Sequence, residues 1–389
     1  MNTAKQLAAV AKLGIKGFSE RIGSNLVAAS CVTLAVAVLV GTLSLSHSVQ
    51  RVIESSSRPD RVVLLSEGMQ LEEPSAIPRT ALAAIEQLPG IRRTEQGAPI
   101  LSADVLMLPP FRERDSQKRS GVVVRGVGAE NAALRPEIEI VEGRTFRTGL
   151  NEVIVGRQAQ QRFAGLSVGD TIKLRSTPFN VVGIFEANGT VRESEILTDV
   201  QSMFAVRPTA RYSSITVLLD SAAAVPNFVK AVNENPGIEA VAFSEPTYAA
   251  QRAKEATQLM ELMAYLVGAI MAAAATFSAA NAMLNLVHAR RTEFATLRAI
   301  GFGSTAVVIA ICLEALVIAA VGAVVGTAIV TLILDDLPFT SRRVSTVLLI
   351  DRDLIVIGAV WACGIGLIGA LMPAIHAARM PIVSALRER

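Results

Sequence analysis

Charged and uncharged stretches alternate sharply along this chain of 389 residues. Between Arg21 and Arg51 no Asp, Glu, Lys or Arg occurs, and the apolar heart of that stretch, 26–45, has the length a helix needs to cross about 30 Å of hydrocarbon. Residues 262–287 and 354–375 are equally free of charge, and 299–334 carry only Glu314. A charge stranded at bilayer depth costs roughly 3 kcal/mol. The pattern therefore predicts four transmembrane helices, at 24–47, 259–287, 304–334 and 354–375. The first reads as an uncleaved anchor, because its apolar core is too long for a signal peptide and sits behind a charged leader. Cys31 follows Ala28, Ala29 and Ser30, but it stands at the start of the apolar run, where a lipoprotein cysteine would follow it.

In the leader, Leu7, Ala11, Ile15, Phe18 and Ile22 recur at helical spacing with Lys5, Lys12 and Lys16 on the other side. That describes a basic amphipathic helix over 1–23 lying on the inner leaflet, with a plain cytoplasmic tail as the alternative. Between the first two spans lies a segment of mixed composition, 48–258, long enough to bury a core of its own. Two stretches in it echo each other. Residues 79–92 read as a helix ending in Leu88-Pro89-Gly90-Ile91, and 222–239 as one ending in Asn235-Pro236-Gly237-Ile238. Each follows a strand-like run, 61–65 and 214–219, and precedes another, 91–95 and 238–243. The pairing predicts two strand-helix-strand halves in one α+β subdomain, 58–120 with 206–245. Short β-branched runs at 122–127, 152–155, 171–174 and 180–185 predict a β-rich insertion over 121–205. From Pro246 to Val287 the only glycine is Gly268 and no internal proline occurs. One helix of about 40 residues and about 60 Å is expected there, overshooting the bilayer. Its residues 247–261 would project as a stalk beside the continuation of the first span through 46–56.

Composition sharpens the picture. The chain is 51% hydrophobic and 18% charged, with a mean hydropathy of +0.45, which points to a membrane protein. A net charge of +3 leaves no basic surplus for neutralising phosphates, so nucleic acid is not an expected partner. Basic residues only narrowly favour one orientation: Lys5, Lys12, Lys16 and Arg21 in the leader, Arg290, Arg291 and Arg298 in the second loop, and Arg379, Arg387 and Arg389 in the tail, against Arg342, Arg343 and Arg352 in the loop at 335–353. The first helix usually dominates, which puts 48–258 outside the cytoplasm and the tail, 376–389, inside. Cys31, Cys312 and Cys363 all fall in spans, so the outer domain has no disulfide. His47, His288 and His376 are far apart in sequence, and no metal cluster is expected. No GxxxxGK[ST], GxSxG, HExxH or CxxC occurs, and nothing in the sequence reads as catalytic.

One inner segment stands out, 288–303. Read as a helix, it puts Phe294, Leu297 and Ile300 on a narrow apolar face and Arg290, Arg291, Glu293 and Arg298 on a charged one, with Gly301 and Gly303 ending it. Such a helix suits docking in another protein's groove; a loop that fixes topology by its charge is the other reading. Glu314 would lie about 15 Å into the third span and there should find a partner or be protonated. Gly322 and Gly326, four apart, permit close helix packing, as do Gly366 and Gly369.

The segment 290–302, with Leu313-Glu314-Ala315 and the tail Pro373-Ala-Ile-His-Ala-Ala-Arg-Met-Pro-Ile-Val-Ser-Ala-Leu-Arg387, resembles the signature of the MacB/FtsX family of ABC transporter permeases. The order of one span, a large domain and three spans is similar too. The resemblance implies a coupling helix at 288–303, in which Arg290, Arg291, Glu293, Phe294, Leu297, Arg298 and Gly301 sit on a separate ATPase subunit, with Arg379 and Pro381 nearby. It implies a porter-like outer domain with a β-rich insertion, a second permease protomer, identical or not, and a bacterial inner membrane with the large domain in the periplasm. A periplasmic membrane-fusion adaptor is a further candidate partner. The chain itself would be non-catalytic and bind no cofactor, ATP and Mg being used by the partner ATPase. The expected function is export or efflux of a periplasmic or outer-leaflet substrate, with FtsX-type control of an outer enzyme as the alternative. One departure touches the third span: 304–312 is apolar where the family often carries basic residues, which leaves the start of that span open.

Overall fold

The computed structural model describes residues 22–116, 118–300, 303–334, 338–340, 345–347 and 351–379. The leader helix expected at 1–23 lies outside them as far as Arg21. Two compact units result: one contains Val49–Thr257, and the other contains the first helix as far as Ser48, Gln258–Leu337 and the last helix.

Four helices are long and apolar enough to cross a membrane. They are α1 (Ile22–Ser55), α7 (Glu245–Ala289), α9 (Ser304–Leu334) and α10 (Arg352–Arg379). Glycines set their spacing in the membrane unit. A Cβ at Gly326 would lie 2.7 Å from the Thr33 carbonyl oxygen, and one at Gly322 would meet Val32 and the Ala29 carbonyl, so α9 lies directly on α1. In the same way Gly366 seats α10 on Ala315 and Ala319 of α9, and Gly369 seats it on Thr276 and Ala279 of α7. Leu332, Phe277 and Met372 point outward, at 85%, 80% and 74% exposure, so the outer face of these helices is apolar. Helix α7 is unbroken over 45 residues, about 68 Å at the α-helical rise. Its single proline, Pro246, occupies the first turn, where the missing N–H costs nothing.

The other unit is built on a sheet. In chain order it comprises β1 (Arg61–Ser66), α2 (Ala81–Glu86), β2 (Leu101–Met107), β3 (Pro110–Arg112), β4 (Arg119–Gly121), β5 (Val124–Val127), α3 (Asn131–Leu134) and β6 (Glu139–Gly143). There follow β7 (Glu152–Gly156), α4 (Arg157–Arg162), β8 (Thr171–Leu174), β9 (Thr177–Glu186), β10 (Ile196–Asp199), α5 (Val200–Val206), β11 (Ser214–Leu218), α6 (Val225–Asn233) and β12 (Ala240–Ser244). The strands run β12-β1-β11-β2-β5-β10-β7-β9-β6, with β8 paired to β9, while β3 and β4 form a separate hairpin. Val62, Leu64, Val124, Val155, Phe179 and Ile215 belong to its main core.

The strands expected for the halves and for the insertion run in one continuous sheet, because β2 pairs with β11 on one side and β5 on the other. One expectation changes. The second strand of the first half is β2 rather than 91–95, which forms only the isolated bridges Ile91–Leu219 and Arg93–Pro99. Gly90 and Gly97, at φ +88° and +82°, turn the chain on either side of that short stretch. Strand β2 escapes a pattern reading because its polar residues, Ser102 and Asp104, are as buried as its apolar ones.

Candidate coupling site

Within the segment 288–303 a short helix forms, α8 (Arg291–Ala299), packed on the membrane unit. Arg290 breaks the run from α7, with φ −105° and ψ 20°, yet its carbonyl still accepts the Phe294 N–H at 3.0 Å. Glu293 lies in the first turn and Arg298 in the last, each at the end its charge favours. Phe294, 3% exposed, is the anchor. It packs in one cluster with Leu286 and Val287 of α7, Val307 and Ile311 of α9, and Ala374 of α10.

The narrow apolar face expected for this helix is divided. Phe294 points into the bundle, whereas Ile300 is 72% exposed. Six residues at 100° each put the two side chains about 120° apart, too far to share one contact. Arg290, placed on the charged face by the sequence, is only 7% exposed. Its Nε donates to Glu293 Oε2 at 2.8 Å, its Nη1 lies 3.7 Å from Glu314 Oε2, and its guanidinium sits 5.3 Å from the Phe294 ring centroid. Glu314, deep in its span, thus faces a cation from the neighbouring loop. The Glu293 side chain keeps 56% exposure; Arg291 and Arg298 are half-buried, and Arg379 is exposed in the last turn of α10. Gly301 and Pro381 lie outside the described residues, as does the Leu297 side chain. The ends of α7 and α10 meet here, with the His288 and His376 rings 6.4 Å apart, so two of the three histidines are neighbours in space despite their separation in sequence. Among the described residues no group of three metal-ligating side chains forms.

A second charged site, unforeseen in the sequence, is buried in the sheet unit. Arg125 on β5 is 1% exposed and reaches three carboxylates: Glu195 at 2.8 Å, Glu72 at 2.7 Å and Asp104 at 3.1 Å. Ser102 Oγ also donates to Asp104. Burial on its own would raise the Glu72 carboxyl, but Arg125, Arg252 and Arg192 hold it down to about 2. For Asp104 burial prevails over Arg125, and its carboxyl is raised. Beside this cluster, Glu245 at the N-terminus of α7 accepts the Arg58 backbone N–H at 2.8 Å and lies 3.5 Å from both Arg61 and Arg135. Burial, with Arg192 nearby, lowers the Arg135 guanidinium to about 10. These ion pairs fix the first turn of α7 to β1 and to the loop after α3. The available signal was a lone Arg inside the run Val122-Val-Val-Arg125-Gly-Val, where an unpaired charge could not stay buried.

Residues 26–235 match the MacB-like periplasmic core domain, and residues 265–382 match the FtsX-like permease C-terminal domain. No curated protein matches the chain. It is similar to the crystal structure of the extracellular domain of the noncanonic ABC-type transporter YknZ from Gram-positive bacteria, at 14% identity and a TM-score of 0.36, over 47% of this chain and 99% of that one. It is also similar to the periplasmic region of MacB from Actinobacillus actinomycetemcomitans, at 12% identity and a TM-score of 0.36, over 48% of this chain and 90% of that one.

Proposed function

The chain belongs to the MacB/FtsX-like family of ABC transporter permeases, and from that premise we propose that it couples ATP hydrolysis in a separate ATPase subunit to movement of its outer domain. The observation that carries this reading is α8: Phe294 holds it on the bundle while Glu293 and Ile300 remain available to a partner. Arg291, Arg298 and Arg379 border the same surface. ATP and Mg act in the partner, and this chain converts the resulting closure into displacement, pushing a periplasmic or outer-leaflet substrate onward. The four spans lie in a bacterial inner membrane beside a second permease protomer, with 48–258 in the periplasm. There β1, β2, β11 and β12 form the porter-like part and β5 to β10 the β-rich insertion, open to an adaptor.

The test is copurification of the full chain, in nanodiscs, with an ABC ATPase subunit from the same cells. Glu293→Lys and Ile300→Asp are each expected to weaken binding at least tenfold. Binding that survives both changes removes the coupling assignment.

A further inference from the structure

We infer that Arg290 is a positioning strut rather than a docking residue: it ties α8 to α9 through Glu314, so that load placed on α8 enters the membrane helices there. This rests on α8 being the seat of the ATPase. A side chain only 7% exposed, turned inward beneath its own helix, offers a partner no surface. What it does offer is a junction. One carboxylate, Glu293, stands on α8 with 56% of its side chain still exposed; the other, Glu314, stands on α9 at 9%.

Stability does not account for this arrangement. Replacing a buried ion pair with apolar groups is often neutral or favourable, and Phe294, Val307, Ile311 and Ala374 already pack α8 on the bundle. Apolar contact is non-directional, however, and selects no single partner atom. A guanidinium shared between two carboxylates fixes register. The two contacts are also unequal. Arg290 is hydrogen-bonded to Glu293 at 2.8 Å but stands 3.7 Å from Glu314. A cation that a partner brings to the exposed side of Glu293 competes for its carboxylate and lets Arg290 close on Glu314. Docking thereby tightens the joint that carries its load. Beyond Glu314 the path is stiff: Ala315, the next residue, is where Gly366 of α10 makes contact, and two turns further on Gly322 presses against α1.

The experiment uses the full chain in nanodiscs, with Cys31, Cys312 and Cys363 replaced by alanine and spin labels at Ala299 and Leu332, both exposed. With the wild-type pair, the α8–α9 distance distribution is expected to be the same with and without ATP-vanadate trapping of the bound ATPase. In Arg290→Gln and Glu314→Gln it is expected to shift or broaden on trapping, with ATPase affinity within threefold of wild type. Arg290→Lys, which keeps a cation between the two carboxylates, is expected to stay nearer the wild-type distribution than Arg290→Gln. Unchanged distances in both single variants overturn the proposal. So does a tenfold loss of affinity in Arg290→Gln that Glu314→Gln does not share, which would make Arg290 a docking contact. If the wild-type chain binds no ATPase, the proposed function fails, and thermal unfolding of the same samples still decides the strut. The double variant Arg290→Gln with Glu314→Gln should unfold no lower than either single one; additive losses overturn the link.

Discussion

Arg125 shows what one residue can hold in place. From β5 its guanidinium is the common partner of Asp104 on β2 and of Glu72 and Glu195, which stand in two separate loops. Arg125→Met keeps much of the volume and strands three carboxylates, so it should cost about 3–5 kcal/mol. Hydrogen exchange in the full chain is the measurement, and the amides of β2 and β5 should exchange roughly a hundredfold faster or more. Acid acts on the same cluster. Glu72, held at about 2 against 4.5 for a free carboxyl, contributes stability that is complete above pH 4.5 and is lost as the pH falls towards 2. Asp104, raised, titrates in the opposite sense and returns part of the loss. Protection factors, which remove the acid slowing of chemical exchange itself, should therefore fall between about pH 6 and 3, and less steeply in Glu72→Gln. None of this could be read from the sequence beyond the oddity of an Arg in a valine run, because the three carboxylates lie between 21 and 70 residues away.

At the level of elements, the spans were legible and the strands only in part. Exclusion of charge over twenty residues is a one-dimensional property, and it recovered all four apolar helices. Strand β2 was hidden because alternation fails where both faces are buried. The face of α8 is hidden for a related reason: a hydrophobic stripe does not reveal which of its members, Phe294 or Ile300, meets the protein's own core. The glycines permit a sharper test. Gly326→Leu would drive its Cβ to 2.7 Å from a backbone oxygen that cannot rotate away, and it should cost about 1–3 kcal/mol. Gly364→Ala has nothing within 4 Å and should be silent. Thermal unfolding in nanodiscs distinguishes the two, and equal behaviour would mean that α1 and α9 are not in contact.

For the molecule as a whole, the proposed coupling runs through α7, a single helix whose first residue is clamped by Arg61 and Arg135 and whose last turn leads into Arg290. A proline at position 258 removes a helical hydrogen bond and kinks the rod. Gln258→Pro should leave ATPase binding unchanged and abolish the nucleotide-dependent displacement of a label in β6, read by spin-label distances. A displacement as large as in wild type would mean that the rod carries no motion. The continuous sheet has its own consequence for anyone who would treat this chain as exchangeable cassettes. Excising 121–205 would strip β2 of the neighbour that covers it and leave a raw edge of unpaired amides and carbonyls. Such a truncation would stick to copies of itself before it revealed anything about the part removed.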